Sequence, residues 1–134
     1  MGGDKAMIVA GVGFKRNATA DEIVTLVEQA VADAGLPDDA LNRLATIDAL
    51  AALPAFEDAA RRLAVSAIVI DDMTLSAAAP RVSTHSARSL AAHGVGSVAE
   101  AAALAAGGSE ARLILERIAS SSVTCALAQR ETNS

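Results

Sequence analysis

The sequence has few aromatic side chains and few positive charges. It contains no tryptophan, no tyrosine and two phenylalanines, so it offers no platform on which nucleic-acid bases could stack. Its 16 acidic and 11 basic residues give a net charge of −5, whereas non-specific nucleic-acid binding requires a positive surface. The composition therefore predicts that nucleic acid is not a partner.

Cysteine and long hydrophobic runs are also scarce. Cys125 is the single cysteine, so no internal disulfide can form, which is typical of a reducing compartment. The longest apolar run, residues 64–70, is interrupted by Ser66 and is far shorter than the roughly 20 residues of a membrane span. No secretory signal precedes the first strand-like run. We therefore expect a cytoplasmic protein with no membrane partner.

Alanine is abundant instead, at 33 of 134 residues, within a chain that is 52% hydrophobic. Such a composition predicts a folded core, because disordered chains combine low hydrophobicity with high net charge. The length fits one domain, and so much alanine predicts closely packed backbones. We expect the domain to cover residues 7–130, with a disordered extension over 1–6 and a tail over 131–134.

The order of apolar segments predicts an α/β fold. Helical periodicity and N-cap residues predict the main helices, and residues 38–43 are expected to form a helical turn. The last two strands are joined by a short link, so they must form an antiparallel hairpin. We predict a mixed sheet of about five strands with helices on both faces, and irregular structure over residues 79–93. The predicted strands are 7–12, 44–47, 64–70, 113–115 and 123–127, and the main helices are 20–34, 54–63 and 98–106.

Two hydroxyl residues predict helix starts with a capping box. Thr19 precedes Glu22 by three residues, and Ser97 precedes Glu100 by the same spacing. In a capping box the hydroxyl accepts a hydrogen bond from the backbone of the glutamate, and the carboxylate accepts one from the N-cap N–H. The free N–H groups of such helix starts attract anions.

Lys15 and Arg16 lie between the first strand and the first helix. Open α/β sheets bind ligands beyond the carboxyl ends of their strands, and a helix start there favours negative charge. Two adjacent exposed basic residues usually form only a solvated surface. Anion binding and simple solvation therefore both remain open for this pair.

Gly11 and Gly13 follow the first strand in the manner of a dinucleotide-binding loop. The third glycine of that motif would fall at Arg16, and the chain has no phosphate-binding P-loop pattern. We expect these glycines to form a tight strand-to-helix turn. A nucleotide-binding regulatory module stays as an alternative.

Candidate catalytic and metal-binding residues are few. Asp48 and Asp71 each end a strand, where paired carboxylates can perform acid–base chemistry or hold a metal, or can cap the next turn. His85 and His93 fit no zinc spacing, and His93 precedes a glycine, which is typical of a helix end. Cys125 has apolar neighbours and is expected to be an inert core thiol. We expect no metal and no cofactor.

The segments 9–23, 44–48, 83–86, 94–107 and 123–128 resemble, in order and spacing, the family formed by CobE and the C-terminal domain of CbiG, both of cobalamin biosynthesis. The resemblance covers nearly the whole chain and is most specific over residues 94–107. With no domain before it, the chain is most similar to the stand-alone CobE branch of the oxygen-dependent route.

Two places depart from the family pattern. After Asp48 many relatives carry a lysine and then a glutamate, whereas this chain has only apolar residues over 49–54. The strand before the last usually bears a lysine, where this chain has Glu116 and Arg117. The role of the lysine and glutamate that follow Asp48 in relatives is therefore not carried over, and the second departure argues against phosphate or carboxylate binding at the end of that strand.

The resemblance implies binding or handling of a precorrin, a tetrapyrrole intermediate of cobalamin biosynthesis. Precorrins carry about eight carboxylate side chains, so a site needs cations and N–H donors more than aromatic rings. A polar loop that contains Ser83, Thr84, Ser86 and Arg88 is expected to form a mobile flank over the ligand. The predicted ligand-binding residues are Gly11, Gly13, Lys15, Arg16, Thr19, Asp48, Ser83, Thr84, Ser86, Gly94, Gly96, Ser97 and Glu100.

The resemblance leaves an enzymatic function open. CbiG opens a ring lactone, but its N-terminal region has no counterpart in this sequence, so hydrolysis is not assumed for this chain. A precorrin-modifying hydrolase and a partner of a precorrin methyltransferase are the alternatives. Other enzymes of the pathway are expected as protein partners.

Overall fold

The computed structural model describes residues 5–132, which form one mixed sheet covered by helices. The five strands are β1 (Lys5–Phe14), β2 (Leu41–Ile47), β3 (Ser66–Ile70), β4 (Arg112–Ala119) and β5 (Val123–Thr132). Their order across the sheet is β3-β2-β1-β5-β4. The first three are parallel, and β5 is antiparallel to both β1 and β4. The predicted α/β class, mixed sheet and C-terminal antiparallel hairpin are confirmed.

Six α-helices connect the strands within the described residues. They are α1 (Ala20–Asp33), α2 (Asp48–Ala51), α3 (Pro54–Leu63), α4 (Asp72–Ala78), α5 (Ala87–His93) and α6 (Val98–Gly107). Helices α1 and α3 pack on one face of the sheet, and α4 and α6 pack on the other. Helices therefore cover both faces, as predicted. Below, these are called the α1 face and the α6 face.

The α1 face is packed with bulky side chains. Ile23 and Leu26 of α1 meet Phe56 of α3 and Leu44 of β2, and all four are buried. Cys125 of β5 is fully buried in the same cluster, and this burial raises the pKa of its thiol to about 12. The thiol therefore stays protonated, in agreement with the predicted inert core cysteine.

The α6 face is packed with small residues. Helix α6 is buried on nearly all sides, with Ala101, Ala102 and Ala103 at the centre of its contacts. A Cβ atom on Gly11 would lie 2.0 Å from the carbonyl oxygen of Ala99, so only glycine admits α6 this close to β1. The predicted strand-to-helix turn at Gly11 and Gly13 is wrong, since both lie within β1.

Residues 38–43 do not form the predicted helical turn. Strand β2 begins at Leu41 and pairs with β1, and the pairing register shifts between Ile8 and Val9. At this irregularity the side-chain oxygen of Asn42 accepts a hydrogen bond of 2.8 Å from the backbone N–H of Ile8. Pairing with β1 therefore extends the strand over residues that look helical in isolation.

Residues 79–93 are not irregular throughout. A 3-10 helix covers Ala79–Arg81, and α5 begins after Ser86, whose hydroxyl accepts a hydrogen bond from the backbone N–H of Ser89. The serines that suggested a loop thus include the N-cap of a helix. His93 is the last residue of α5, as predicted.

The sheet also extends beyond the predicted domain boundaries. Strand β1 begins at Lys5 and β5 continues to Thr132, so residues 5–6 and 131–132 belong to strands. The rest of the predicted extension and tail lies outside the described residues. In the described range, no single helix is long and apolar enough to cross a membrane, and α5 and α6 meet both criteria only as a pair bent by 61°.

Candidate binding cleft

An open cleft of about 390 Å³ lies on the α6 face, beyond the carboxyl end of β1. Its walls are the end of β1, helix α5, the start of α6 and the turn between β4 and β5. Strand β1 lies between β2, which is parallel to it, and β5, which is antiparallel to it and follows β4 through a hairpin. Open α/β sheets bind ligands beyond the carboxyl ends of their strands, which is where this cleft lies.

The cleft is lined by positive charges. Lys15, Arg88 and Arg117 line it together with His93, and its described lining contains no aspartate or glutamate. This contrasts with the whole chain, in which acidic residues outnumber basic ones. Because like-charged walls focus the field inside a concave site, the cleft favours anions.

Lys15 is held at the end of β1 by its backbone. Its N–H donates a hydrogen bond of 2.9 Å to the carbonyl oxygen of Ser122 in the β4–β5 turn, while its side chain is exposed. Arg16 is exposed as well but does not line the cleft. The structure thus separates the two basic residues that the sequence places side by side.

Arg117 reaches the cleft because of an irregularity in β4. Leu115 pairs with Leu127 and Ile118 pairs with Cys125, so two residues of β4 oppose one residue of β5. Such a bulge re-aims the side chains that follow it. Leu115 and Ile118 both pack on the α1 face, whereas Arg117 between them lines the cleft on the α6 face.

Glu100 stands behind the cleft, fully buried in the first turn of α6. Its Oε1 accepts hydrogen bonds from the N–H groups of Ser83 (2.7 Å) and Thr84 (2.9 Å). Its Oε2 accepts from the Thr84 hydroxyl (2.7 Å) and from the N–H of Arg117 (2.9 Å). Burial acts to raise the pKa of Glu100, but the hydrogen bonds from Arg117, Thr84 and Ser83 hold the pKa below its ordinary 4.5.

These contacts correct the prediction for Glu100. The Ser97 hydroxyl does accept from the Glu100 N–H (3.1 Å), but the carboxylate turns away from the N-cap and no capping box forms. A carboxylate has about four acceptor positions, and protein donors occupy all of them. The acceptor positions of the Glu100 carboxylate are therefore taken up by donors of the protein itself. The predicted capping box of Thr19 and Glu22 is confirmed.

The polar loop before α5 is held behind the cleft wall. A Cβ atom on Gly96 would lie 2.3 Å from the carbonyl oxygen of Thr84, so glycine is needed where this loop crosses the start of α6. The Ser86 N–H donates a hydrogen bond of 2.9 Å to the Gly96 carbonyl oxygen. Ser86 lines the cleft, whereas Ser83 and Thr84 face Glu100.

Two serine hydroxyls on the cleft walls have unused hydrogen-bonding capacity. The Oγ atoms of Ser89, on α5, and Ser122, in the β4–β5 turn, are buried and have no hydrogen-bond partner among residues 5–132. Both residues line the cleft, as do Ser97 and Val98 at the start of α6. The positive end of the α6 dipole thus forms part of the wall.

The two strand-end aspartates do not form a paired acid site in the cleft. Asp71 caps α4 by accepting a hydrogen bond of 2.8 Å from the N–H of Thr74, and this contact lowers the pKa of Asp71. Asp48 is the first residue of α2, is exposed and does not line the cleft. Capping is therefore confirmed for Asp71. Across residues 5–132, no three His, Cys, Asp or Glu side chains lie close enough together to hold a metal ion.

The cleft contains only part of the predicted ligand-binding set. Gly13, Lys15, Ser86 and Ser97 line it, together with Arg88 of the predicted flank. Arg117, His93, Ser89 and the serines of the β4–β5 turn line the cleft but were not among the predicted ligand-binding residues. The strand that bears a lysine in relatives has Arg117 here, and from the sequence alone this departure argues against anion binding at its end. The predicted residues outside the lining are Gly11, Arg16, Thr19, Asp48, Ser83, Thr84, Gly94, Gly96 and Glu100.

Comparisons with known proteins agree on one family. A family model described as the cobalamin synthesis G C-terminus matches residues 8–128. The chain is 42% identical over 123 residues to Protein CobE from Sinorhizobium sp, covering 92% of this chain and 80% of the relative.

Solved structures show the same fold. The crystal structure of CobE, a protein of the cobalamin biosynthetic pathway, superposes with a TM-score of 0.87 at 29% identity, covering 93% of this chain and 94% of that chain. The cobalamin biosynthesis protein chiG from Agrobacterium tumefaciens superposes with a TM-score of 0.72 at 33% identity, covering 91% and 97%.

Proposed function

Because the chain belongs to the family of cobalamin synthesis G C-terminal domains, and so is a cobalamin biosynthesis protein, we propose that its cleft binds a precorrin. The observation that carries this proposal is the set of cations, Lys15, Arg88 and Arg117, in a cleft without acidic residues in its described lining. A precorrin is a tetrapyrrole whose rim carries carboxylates. Cations that converge from three separate elements match such a rim.

The hydrogen-bonding groups of the cleft support the same ligand. Guanidinium groups bind carboxylates through paired N–H donors, and two of the three cations are arginines. The hydroxyls of Ser89 and Ser122 lie buried in the same walls with no partner among residues 5–132, and a small movement of either wall would let each donate to a further carboxylate oxygen. An aromatic stacking surface is not required, since the rim and not the ring face carries the charge.

The openness of the cleft favours a carrier over a closed active site. Pockets that enclose a small molecule have volumes of about 300–1,000 Å³, and this cleft lies near the lower end at about 390 Å³. A macrocycle with eight carboxylate side chains would enter with one edge and leave the opposite edge accessible. Such a ligand can be passed to another enzyme of the pathway, which is the protein partner we propose.

A titration with a stable octacarboxylate porphyrin tests this assignment. Lys15→Gln, Arg88→Gln and Arg117→Gln should each weaken binding about tenfold, because a hydrogen bond to a charged group contributes roughly 1.5–3 kcal/mol. Arg16→Gln and Arg112→Gln are matched controls, since the first neighbours Lys15 and the second shares β4 with Arg117, and neither lines the cleft. If all five variants bind equally well, the cleft is not the site.

Incubation with a pathway intermediate distinguishes a carrier from an enzyme. A carrier returns the precorrin unchanged in mass and absorbance, whereas a lactone-opening hydrolase adds water to it. Competition with ATP and NAD tests the nucleotide-binding alternative, which predicts displacement of the porphyrin. Displacement by either nucleotide at micromolar concentration would overturn the tetrapyrrole assignment.

A further inference from the structure

We infer that Glu100 is the positioning residue of the cleft, holding the two wall segments that carry Arg88 and Arg117 in place for a polycarboxylate ligand. This inference rests on the proposed function. Glu100 does not line the cleft, so any effect on binding has to pass through other residues. Its carboxylate is the single group through which the described structure joins the polar loop, α6 and β4.

Oε1 of Glu100 and one of the two hydrogen bonds to Oε2 hold the wall that carries Arg88. Three hydrogen bonds of 2.7–2.9 Å fix Ser83 and Thr84 to the carboxylate. The chain then reaches Ser86, the N-cap of α5, and Arg88 in its first turn. Because no residue of α5 is buried, this helix has little packing of its own to fix its position. The anchored loop therefore sets the position of α5 and Arg88, together with the hydrogen bond of 2.9 Å from the Ser86 N–H to the Gly96 carbonyl oxygen.

The remaining acceptor position holds the wall that carries Arg117. The bulge in β4 breaks the ladder with β5 between Leu115 and Ile118, and the Arg117 N–H turns to Glu100 at 2.9 Å. Without an acceptor there, this N–H would have no partner inside the protein, and the strand would gain by returning to a regular register. A register that continued regularly from Leu115 would turn Arg117 toward the α1 face and away from the cleft.

A carboxylate suits this position because it only accepts hydrogen bonds. All four of its contacts are donors, three from the loop and one from β4. A glutamine of the same size has one accepting oxygen, and its NH2 group would meet a donor on one side or the other. Glu100→Gln therefore keeps the shape of the side chain but loses the hydrogen bonds either to the polar loop or to β4.

The test is a double-mutant cycle with the octacarboxylate porphyrin as the probe. Glu100→Gln should weaken binding about tenfold, measured at a temperature where circular dichroism shows the variant folded. In an Arg117→Gln, Arg88→Gln background the same change should weaken binding less than twofold, because the residues it positions are gone. Glu22→Gln, at the same position of α1, should bind as the wild type does.

Thr84→Val supplies a second variant, because it removes only the Thr84 hydroxyl contact with Oε2. It should weaken binding two- to threefold, and the loss should disappear in the Arg88→Gln background. The positioning role is overturned if Glu100→Gln binds the porphyrin as tightly as the wild type does. It is also overturned if Glu100→Gln reduces affinity equally in the wild type and in the double-arginine variant. Either result leaves the cleft assignment in place. If the arginine variants themselves bind normally, the proposed function fails and this inference fails with it.

Discussion

Helices α1 and α6 begin with the same sequence pattern and use it differently. Each has a hydroxyl N-cap followed three residues later by a glutamate, Thr19 with Glu22 and Ser97 with Glu100. Glu22 is exposed and accepts a hydrogen bond of 2.9 Å from the Thr19 N–H. Glu100 is fully buried and accepts from Ser83, Thr84 and Arg117 instead. The three-residue spacing places the glutamate within reach of the N-cap. The residues packed around the glutamate then determine which donors its carboxylate accepts hydrogen bonds from.

The same contrast extends to the two faces of the sheet. Helix α1 buries one stripe of large side chains and leaves its charged face in solvent. Helix α6 buries alanines on nearly all sides, because the glycines of β1 let its backbone approach the strand. This close approach brings the start of α6 to the end of β1, where the cleft forms. Small residues on one face thus determine the place of the site.

The largest expected effect on stability comes from removing Glu100, and removal of Glu22 is the comparison. Glu100→Ala should lower the free energy of unfolding by about 3–5 kcal/mol, because several inward-facing donors would lose their acceptor. Glu22→Ala should cost about 1 kcal/mol or less, since water replaces its exposed capping contact. Urea denaturation of both variants measures the difference. Equal losses would show that the two glutamates are energetically alike.

Adding one methyl group to each glycine of β1 tests how closely α6 approaches. Gly11→Ala should cost about 3 kcal/mol, because its Cβ would lie 2.0 Å from the backbone oxygen of Ala99 and the helix must move. Gly13→Ala should cost under about 1 kcal/mol, because its nearest contact is the movable Thr124 hydroxyl at 2.9 Å. Melting temperatures of the two variants give the comparison, and a reversed order would contradict the packing described.

A larger side chain on α6 tests the alanine packing itself. Ala102→Leu should destabilise by roughly 1–3 kcal/mol, since Ala102 is fully buried against the sheet. Ala105→Leu is the control, and it should cost less than about 1 kcal/mol because Ala105 is only partly buried. If chemical denaturation finds Ala102→Leu as stable as the wild type, the Ala102 side of α6 does not pack as described.

The smallest effect is expected from pH. The pKa of Glu100 lies below its ordinary 4.5 in the folded protein, so the ionised carboxylate stabilises the fold fully above pH 4.5. This contribution is lost as the pH falls below 4.5 through the lowered pKa. The difference in unfolding free energy between the wild type and Glu100→Gln should therefore narrow between pH 6 and pH 3. If that difference stayed constant from pH 6 to pH 3, ionisation of Glu100 would not contribute to the stability of the fold.

Much of the fold could be predicted because its signals are local. The periodic apolar residues of α1, its capping box and the short link before β5 each depend on a few neighbouring residues. Leu41 and Asn42 were assigned to a helical turn because their strand exists only through pairing with β1. Helix α5 was missed because its serine-rich start resembles a loop.

The candidate site was less predictable because it depends on contacts between distant segments. Lys15 was found, since it follows a strand and precedes a capped helix. Arg117 reaches the cleft through a bulge, and Glu100 accepts from residues 16 and 17 positions away in both directions. Neither the bulge nor the direction of a buried carboxylate is encoded in the residue spacing of one segment.

The buried thiol on the α1 face has a practical consequence for studying the cleft. Burial raises the pKa of the Cys125 thiol to about 12, so the thiol stays protonated at pH 8. Maleimide reagents should therefore not react with the Cys125 thiol until the β1–β5 pair opens. A fluorophore attached through Ser121→Cys, on the exposed turn beside the cleft, would be the sole label on the folded chain. The protein is thus already prepared for single-site optical measurements without removal of its own cysteine.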